Sequence, residues 1–154
     1  MYHIAIVEDE AVFSTQLQEY LEKYQEENNI RIKTSVFNNG EQILEDYQKI
    51  YDIILLDISM PGINGMEVAE IIRRTDDDVV LVFITNMTSY AIRGYEVGAL
   101  DFVMKPVNYY TFSMKLARAL SRCRQKAKQH ILLTLPDGVK KFDISQILYI
   151  EVQN

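Results

Sequence analysis

The sequence predicts an α/β fold, a doubly wound five-stranded parallel sheet with a short β-rich carboxy-terminal fragment. Three observations carry that prediction. Short apolar, β-rich runs alternate with helix-period segments over roughly the first four-fifths of the chain, the pattern of a parallel sheet covered by helices on both faces. The run Ile53–Leu56 has no polar side chain to expose on either side. Charged residues stand directly after several runs (Glu8, Asp57, Lys105), at the carboxyl strand ends where open α/β sheets place their chemistry.

In chain order, Ile4–Val7 reads as the first strand. Phe13, Leu17, Tyr20, Leu21 and Tyr24 then fall on one helical face, with Glu19, Glu22, Gln25 and Glu26 left for solvent, until Asn28-Asn29 ends the helix. Ile30–Phe37 reads as strand two, and Asn38-Asn39-Gly40 turns into a short helix bearing Ile43, Leu44 and Tyr47. After strand three, Ile53–Leu56, a loop leads to a helix from about Met66 to Arg74 that buries Val68, Ile71 and Ile72. Asp76-Asp77-Asp78 separates it from strand four, Val79–Ile84. Consecutive side chains point different ways, so this triplet reads as a solvated loop cap and not as a metal site. A weaker helix near Ser89–Val97 precedes strand five, Asp101–Met104, closed by Lys105-Pro106. Asn108 caps a long amphipathic helix through Phe112, Leu116, Ala119, Leu120 and Cys123. Beyond it, Ile131–Leu135 and Val139–Phe142 flank the turn Pro136-Asp137-Gly138 and read as a hairpin, with Leu148–Val152 as a third strand.

Length and composition suit this layout. The chain has 154 residues, 48% of them hydrophobic, enough for one packed domain and a fragment. Its net charge of -6 is uneven: residues 1–112 carry 19 acids against 8 bases, and residues 113–154 carry 3 acids against 8 bases. The acidic part argues against a nucleic-acid groove there. The basic stretch Lys115, Arg118, Arg122, Arg124, Lys126, Lys128 reads first as a solvated helix face and second as a phosphate contact. One cysteine, Cys123, cannot form an internal disulfide, and the two histidines, His3 and His130, give no metal-type Cys/His spacing. The amino terminus enters a strand directly, and no apolar run approaches membrane-spanning length, so the chain reads as soluble, cytoplasmic and without a membrane partner.

The chemistry lies in the strand-end set. Glu8 and Asp9 follow strand one, Asp57 follows strand three, Thr85 follows strand four and Lys105 follows strand five. Crowded carboxylates require a cation. Those of Asp9 and Asp57, with Glu8 acting through a water and a backbone carbonyl near Ser59, suit a hard octahedral ion that keeps several waters, Mg2+. Asp57 is then the nucleophile for an incoming phosphoryl group, with Lys105 and Thr85 facing the phosphoryl oxygens.

Val7-Glu8-Asp9-Glu10, Leu56-Asp57-Ile58-Ser59-Met60-Pro61-Gly62-Ile63-Asn64-Gly65, Ile84-Thr85 and Lys105-Pro106 together resemble the signatures of the response-regulator receiver domain, a flavodoxin-like fold of bacterial two-component systems. The resemblance implies a signalling domain and not a conventional enzyme. It accepts a phosphoryl group on Asp57 from a sensor histidine kinase, depends on Mg2+, and has a cis peptide between Lys105 and Pro106. Glu8, Asp9, Asp57 and Ser59 are its implied metal positions, and Asp57, Lys105 and Thr85 its implied phosphotransfer residues. Thr85 and Phe102 are its implied switch residues, reshaping the face of the fourth helix, fifth strand and fifth helix so that a homodimer strengthens. For Phe102 the plainer reading is a core aromatic on an edge strand.

Two positions depart from the usual family pattern, Asn86 after the switch hydroxyl and Ser59 two residues past the nucleophile, so the lifetime of the acyl phosphate is not carried over from relatives. The stretch Asp143-Ile144-Ser145-Gln146-Ile147-Leu148-Tyr149-Ile150-Glu151 resembles the start of a LytTR-type DNA-binding domain, about a quarter of which is present. The expected organisation is a receiver domain over residues 1–122, a basic helix end and linker over 123–130, and the truncated start of the LytTR-type domain over 131–154. The longer protein is expected to bind DNA and regulate transcription, and this chain alone is not. The plainer reading of the tail is a β extension that packs on the receiver or a partner.

Other classes fit less well. A haloacid-dehalogenase-type phosphatase needs a second acid two residues past its nucleophile, where Ser59 stands. A flavodoxin-like electron carrier needs a glycine- and hydroxyl-rich phosphate loop after strand one, where Glu8-Asp9-Glu10 would repel a flavin phosphate. A receiver-like domain that only mediates contacts would have no use for the full set of five active residues.

Overall fold

The structure, a computed structural model, describes residues 1–128, 130–135 and 138–143. Five parallel strands, β1 (Tyr2–Val7), β2 (Ile32–Phe37), β3 (Ile53–Leu56), β4 (Val80–Thr85) and β5 (Asp101–Met104), form one sheet in the order β2-β1-β3-β4-β5. Helices α1 (Ala11–Asn28), α2 (Gly40–Leu44), α3 (Gly65–Arg73), α4 (Ala91–Glu96) and α5 (Tyr109–Lys128) connect and cover them, with one 3-10 turn at Thr88–Tyr90 before α4. This is the α/β flavodoxin-like architecture that the alternation of strand and helix runs predicts.

The period-two alternation of the strands divides the core into two layers. Ile4, Ile6, Ile53, Leu55, Val82 and Ile84 pack with Leu17 and Leu21 of α1 and Phe112, Leu116 and Leu120 of α5. On the opposite face Ala5, Val7, Ile54, Leu56, Leu81 and Phe83 pack with Ile43 of α2, Met66, Val68 and Ile72 of α3, and Val97. Every residue of β3 and β4 is buried, which is why those runs carry no alternating polar positions.

Side-chain caps set the helix starts. Asn39 accepts from the Gln42 N–H, Asn108 accepts from the Thr111 N–H at 2.8 Å, and Asn64 and Glu67 form a reciprocal capping box at the start of α3. Helix α1 ends on Asn29 in the left-handed region, and the Ile30 N–H then bonds back to the Gln25 carbonyl at 3.1 Å. That closure uses Ile30 as part of the helix end, so β2 opens at Ile32, two residues later than its apolar pattern suggests.

A second correction concerns Asp76. It is not solvated but buried: one carboxylate oxygen accepts the Asp78 and Val79 N–H groups, and the other accepts the Tyr47 hydroxyl at 2.8 Å. Asp77 and Asp78 are exposed, as expected of a loop cap. After α5, β6 (His130–Leu135) and β7 (Gly138–Asp143) pair antiparallel as a separate hairpin. The turn at Pro136-Asp137 and the expected strand Leu148–Val152 lie outside the described residues. Among the described residues no helix is long and apolar enough to cross a membrane.

Gly65 opens α3 directly against the end of β3. Its N–H donates to the Ile58 carbonyl at 3.0 Å, and a Cβ there would run into the Asp57 carbonyl. Gly65→Ala is therefore expected to lower the unfolding free energy by about 2 kcal/mol in urea titration, because backbone and not a yielding side chain meets the added methyl. An unchanged midpoint would show that the helix start can shift freely.

Candidate functional site

The carboxyl edge of the sheet gathers the strand-end residues. Past β1, the Glu8 N–H bonds the Phe37 carbonyl at 3.0 Å; past β3, the Asp57 N–H bonds the Val7 carbonyl at 3.0 Å. The ladder thus continues one residue beyond each strand and fixes the two acids side by side. Both side chains are buried, Glu8 1% and Asp57 4% exposed. Between them lies the Lys105 ammonium, 2.7 Å from Glu8 Oε2 and 3.0 Å from Asp57 Oδ2. Its backbone N–H is tied to the Thr85 carbonyl at 3.1 Å, and the Lys105–Pro106 peptide is cis.

The remaining oxygens are also held. Glu8 Oε1 accepts the Glu10 N–H at 3.1 Å, and Asp57 Oδ1 accepts the Ser59 N–H at 3.1 Å. Thr85 is fully buried at the end of β4, its hydroxyl oxygen accepting the Met87 N–H at 3.2 Å. Phe102 is half-buried on β5, on the α4 side of the sheet, with its ring centroid 5.6 Å from that of Phe83. Glu8, Asp57 and Lys105 therefore touch, Ser59 touches Asp57 through its backbone, and Thr85 joins through the backbone of Lys105. Phe102 stands apart on the neighbouring layer.

Charge dominates the site. Burial, reinforced by the charge of Asp57, pushes the Glu8 carboxyl up to about 7 despite the hydrogen bond from Lys105. Burial also works against the Lys105 ammonium, but the two carboxylates together outweigh it and hold its pKa above the ordinary lysine value. One lysine thus faces two buried acids, and a further acid beside them makes the edge an anionic cup. The carboxylate oxygens of Glu8, Asp9 and Glu10 lie within 4.8 Å of one another, the spacing of a cation site. An all-oxygen donor set of this kind fits a hard divalent ion such as Mg2+.

Two contributors are less visible in the sequence. Glu10 joins the carboxylate trio because the loop after β1 folds its N–H back onto Glu8. Phe13, placed by periodicity on the apolar face of α1, is half-exposed, and the Lys105 ammonium lies 4.0 Å from its ring centroid. The first was readable from the run of three acids. The second had only a weak signal, its position one helical turn after Asp9.

The sequence pattern of the response regulator receiver domain matches residues 4–117. The chain is 34% identical over 153 residues to the sensory transduction protein LytT of Oceanobacillus iheyensis, covering 94% of this chain and 61% of that protein. It is 30% identical to the transcriptional regulatory protein BtsR of Escherichia coli, covering 90% of this chain and 54% of that protein. The chain thus spans between about half and three-fifths of the length of these relatives. Among solved structures, the non-phosphorylated HemR receiver domain of Leptospira biflexa superposes with a TM-score of 0.70 at 27% identity, covering 79% of this chain and 95% of that one. The response regulatory domain of mrkE from Klebsiella pneumoniae gives 0.71 at 25% identity, covering 80% and 98%.

The raised Glu8 pKa has a consequence for stability. A carboxyl with a folded pKa of about 7 and an ordinary value of 4.5 binds its proton more tightly in the folded chain. Its favourable contribution is complete below the lower value and lost as pH rises through the upper one. In metal-free buffer the wild type is expected to lose about 1 kcal/mol relative to Glu8→Gln between roughly pH 6 and pH 8. Urea titrations of both proteins check this, and a pH-independent difference would remove Glu8 as the responsible group.

Proposed function

The chain belongs to the response-regulator receiver family, and from that premise we propose that it is the phosphoacceptor module of a two-component system, with Asp57 as the acceptor. The observation that carries this reading is the buried Asp57 carboxylate at the end of β3, held between the Lys105 ammonium and the Ser59 N–H beside the Glu8-Asp9-Glu10 edge. Such a carboxylate is fixed in place and faces the strand ends where an anionic substrate can be met.

In the proposed step an Asp57 oxygen attacks phosphorus in line, donated by a phosphohistidine of a sensor kinase. The O–P bond forms as the P–N bond breaks, and the imidazole leaves with the electron pair and takes up a proton. Lys105 offers its ammonium to the phosphoryl oxygens, and Thr85 supplies a hydroxyl from the adjacent strand end. Glu8, Asp9, Asp57 and a backbone carbonyl at Ser59 would hold Mg2+, which neutralises phosphoryl charge when bound. The site turns over at most its own phosphoryl group, so the domain works as a switch and not as a conventional enzyme.

The proposed output begins at Thr85 and Phe102. Drawing the Thr85 hydroxyl toward a phosphoryl oxygen frees space on the α4 side, into which Phe102 turns. The surrounding elements carry exposed apolar side chains, Ile92 and Tyr95 on α4, Met104 on β5, and Tyr110 and Met114 on α5, which suits pairing of two copies through the α4-β5-α5 face. Residues 1–122 form the receiver, 123–130 the connector and 131–154 the opening of a LytTR-type DNA-binding domain on this reading. Its support is that the match to LytT covers 94% of the chain, more than the receiver region at 4–117. The protein would then regulate transcription in the cytoplasm.

With acetyl phosphate and Mg2+, intact mass spectrometry is expected to show one added phosphoryl group on the wild type and none on Asp57→Asn. Equal labelling of the two proteins would overturn Asp57 as acceptor. Beryllium fluoride, which mimics the acyl phosphate, is expected to move the sedimentation coefficient toward that of a dimer. No shift with the analogue bound would count against the α4-β5-α5 switch.

A further inference from the structure

The contact between Lys105 and Phe13 is absorbed by neither the fold nor the phosphotransfer scheme. Phe13 lies in the first turn of α1, its N–H bonded to the Glu10 carbonyl at 3.1 Å, immediately after the acidic run. Among the described residues it belongs to neither apolar cluster, and it is half-exposed. An aromatic ring that fills no core needs another explanation. The Lys105 ammonium supplies it, 4.0 Å from the ring centroid on a side chain only 4% exposed.

We propose that Phe13 is a positioning residue for phosphoryl acceptance, its ring face holding the Lys105 ammonium at the mouth of the anionic cup while the lysine's carboxylate partners change. The inference rests on the phosphoacceptor reading of Asp57. In the resting site the ammonium is fixed by Glu8 Oε2 at 2.7 Å and Asp57 Oδ2 at 3.0 Å. Both contacts are at risk during the reaction: phosphorylation consumes an Asp57 oxygen and moves the negative charge from the carboxyl group to the phosphoryl oxygens, and a divalent ion competes for the neighbouring acids. A ring neither titrates nor binds phosphate. The ring face attracts the ammonium as a compact charge whatever way its N–H groups point, so the ammonium can turn these toward a phosphoryl oxygen without losing the contact, and the low exposure strengthens the attraction.

The test compares the full chain with Phe13→Leu, which stays apolar and is the better helix former but has no ring, and Phe13→Tyr, which keeps the ring; Phe13→Met replaces the leucine variant if that one fails to fold. Without metal or phosphodonor, NMR of the Lys105 ε-methylene protons is expected to show a ring-current shift in wild type and Phe13→Tyr that Phe13→Leu loses. With Mg2+ and saturating acetyl phosphate, the labelling rate of Phe13→Leu is expected to fall about threefold to tenfold, with half-saturation by donor unchanged and Phe13→Tyr near wild type.

Wild-type labelling with Phe13→Leu equally fast, Phe13→Tyr as slow as Phe13→Leu, or a Lys105 methylene without a ring shift would each overturn the positioning role. A wild type that takes no phosphoryl group would overturn the phosphoacceptor reading itself, and the positioning role with it. The metal-free NMR signal would still report whether ring and ammonium meet.

Discussion

Buried carboxylates at the end of a sheet are unfavourable unless an opposite charge meets them, and here that charge is the Lys105 ammonium. Desolvating each ion costs several kcal/mol, so the arrangement persists only if the geometry is enforced from outside the site. The strand order enforces it. Lys105 leaves β5 and reaches past the end of β4 to acids following β3 and β1, across strand spacings of about 4.8 Å each. Only a long, flexible cationic side chain spans that distance. The backbone bonds from Lys105 to Thr85 and from Asp57 to Val7 prevent the strand ends from relaxing apart. The price is a pair of acids held out of water with one lysine between them, visible in the Glu8 pKa that burial raises, and a hard cation is the species that could offset the remaining negative charge.

The strand ends were legible in the sequence because each apolar run stops where its charged residue begins, and a parallel sheet covered on both faces makes that boundary the edge of the core. Glu8, Asp57, Thr85 and Lys105 converge for this reason, and the two apolar layers follow from period-two alternation. What the sequence concealed depends on distant contacts. Asp76, Asp77 and Asp78 are indistinguishable as a string, and only the Tyr47 hydroxyl arriving from beyond α2 makes Asp76 a buried cap. Ile30 has a strand former's side chain, but its N–H is taken by the end of α1. Phe13 shares a helical face with Leu17, as its spacing says, yet among the described residues it belongs to neither apolar cluster, and the Lys105 ammonium meets its ring.

The same sheet that holds the acids rigidly leaves one neighbouring element loosely held. Helix α4 has six residues, starts at Tyr90 without a side-chain cap, and carries Gly94 in its interior, where glycine costs about 1 kcal/mol relative to alanine. Its far end is tied: the Arg73 guanidinium donates to the carbonyls of Val97 and Gly98 on one side and of Asp76 and Val79 on the other, pinning the exit of α4 to the start of β4. The entrance to α4 follows Thr85 and Met87, and the tie nearest it is the exposed ion pair of Arg93 with Glu70 of α3 at 2.9 Å, a weaker strut than the Arg73 set. On the proposed switch, a displacement that starts at the Thr85 hydroxyl would meet the weaker end of α4 first and pivot about the end held by Arg73. Half-buried Phe102, lying against Phe83 in the same layer, occupies the space such a pivot would change. Rigidity at the acids and compliance at α4 are thus products of one arrangement: β3 and β4 are buried on both faces, whereas β5 has half-buried and exposed positions, so a local charge event has one direction in which to be relieved.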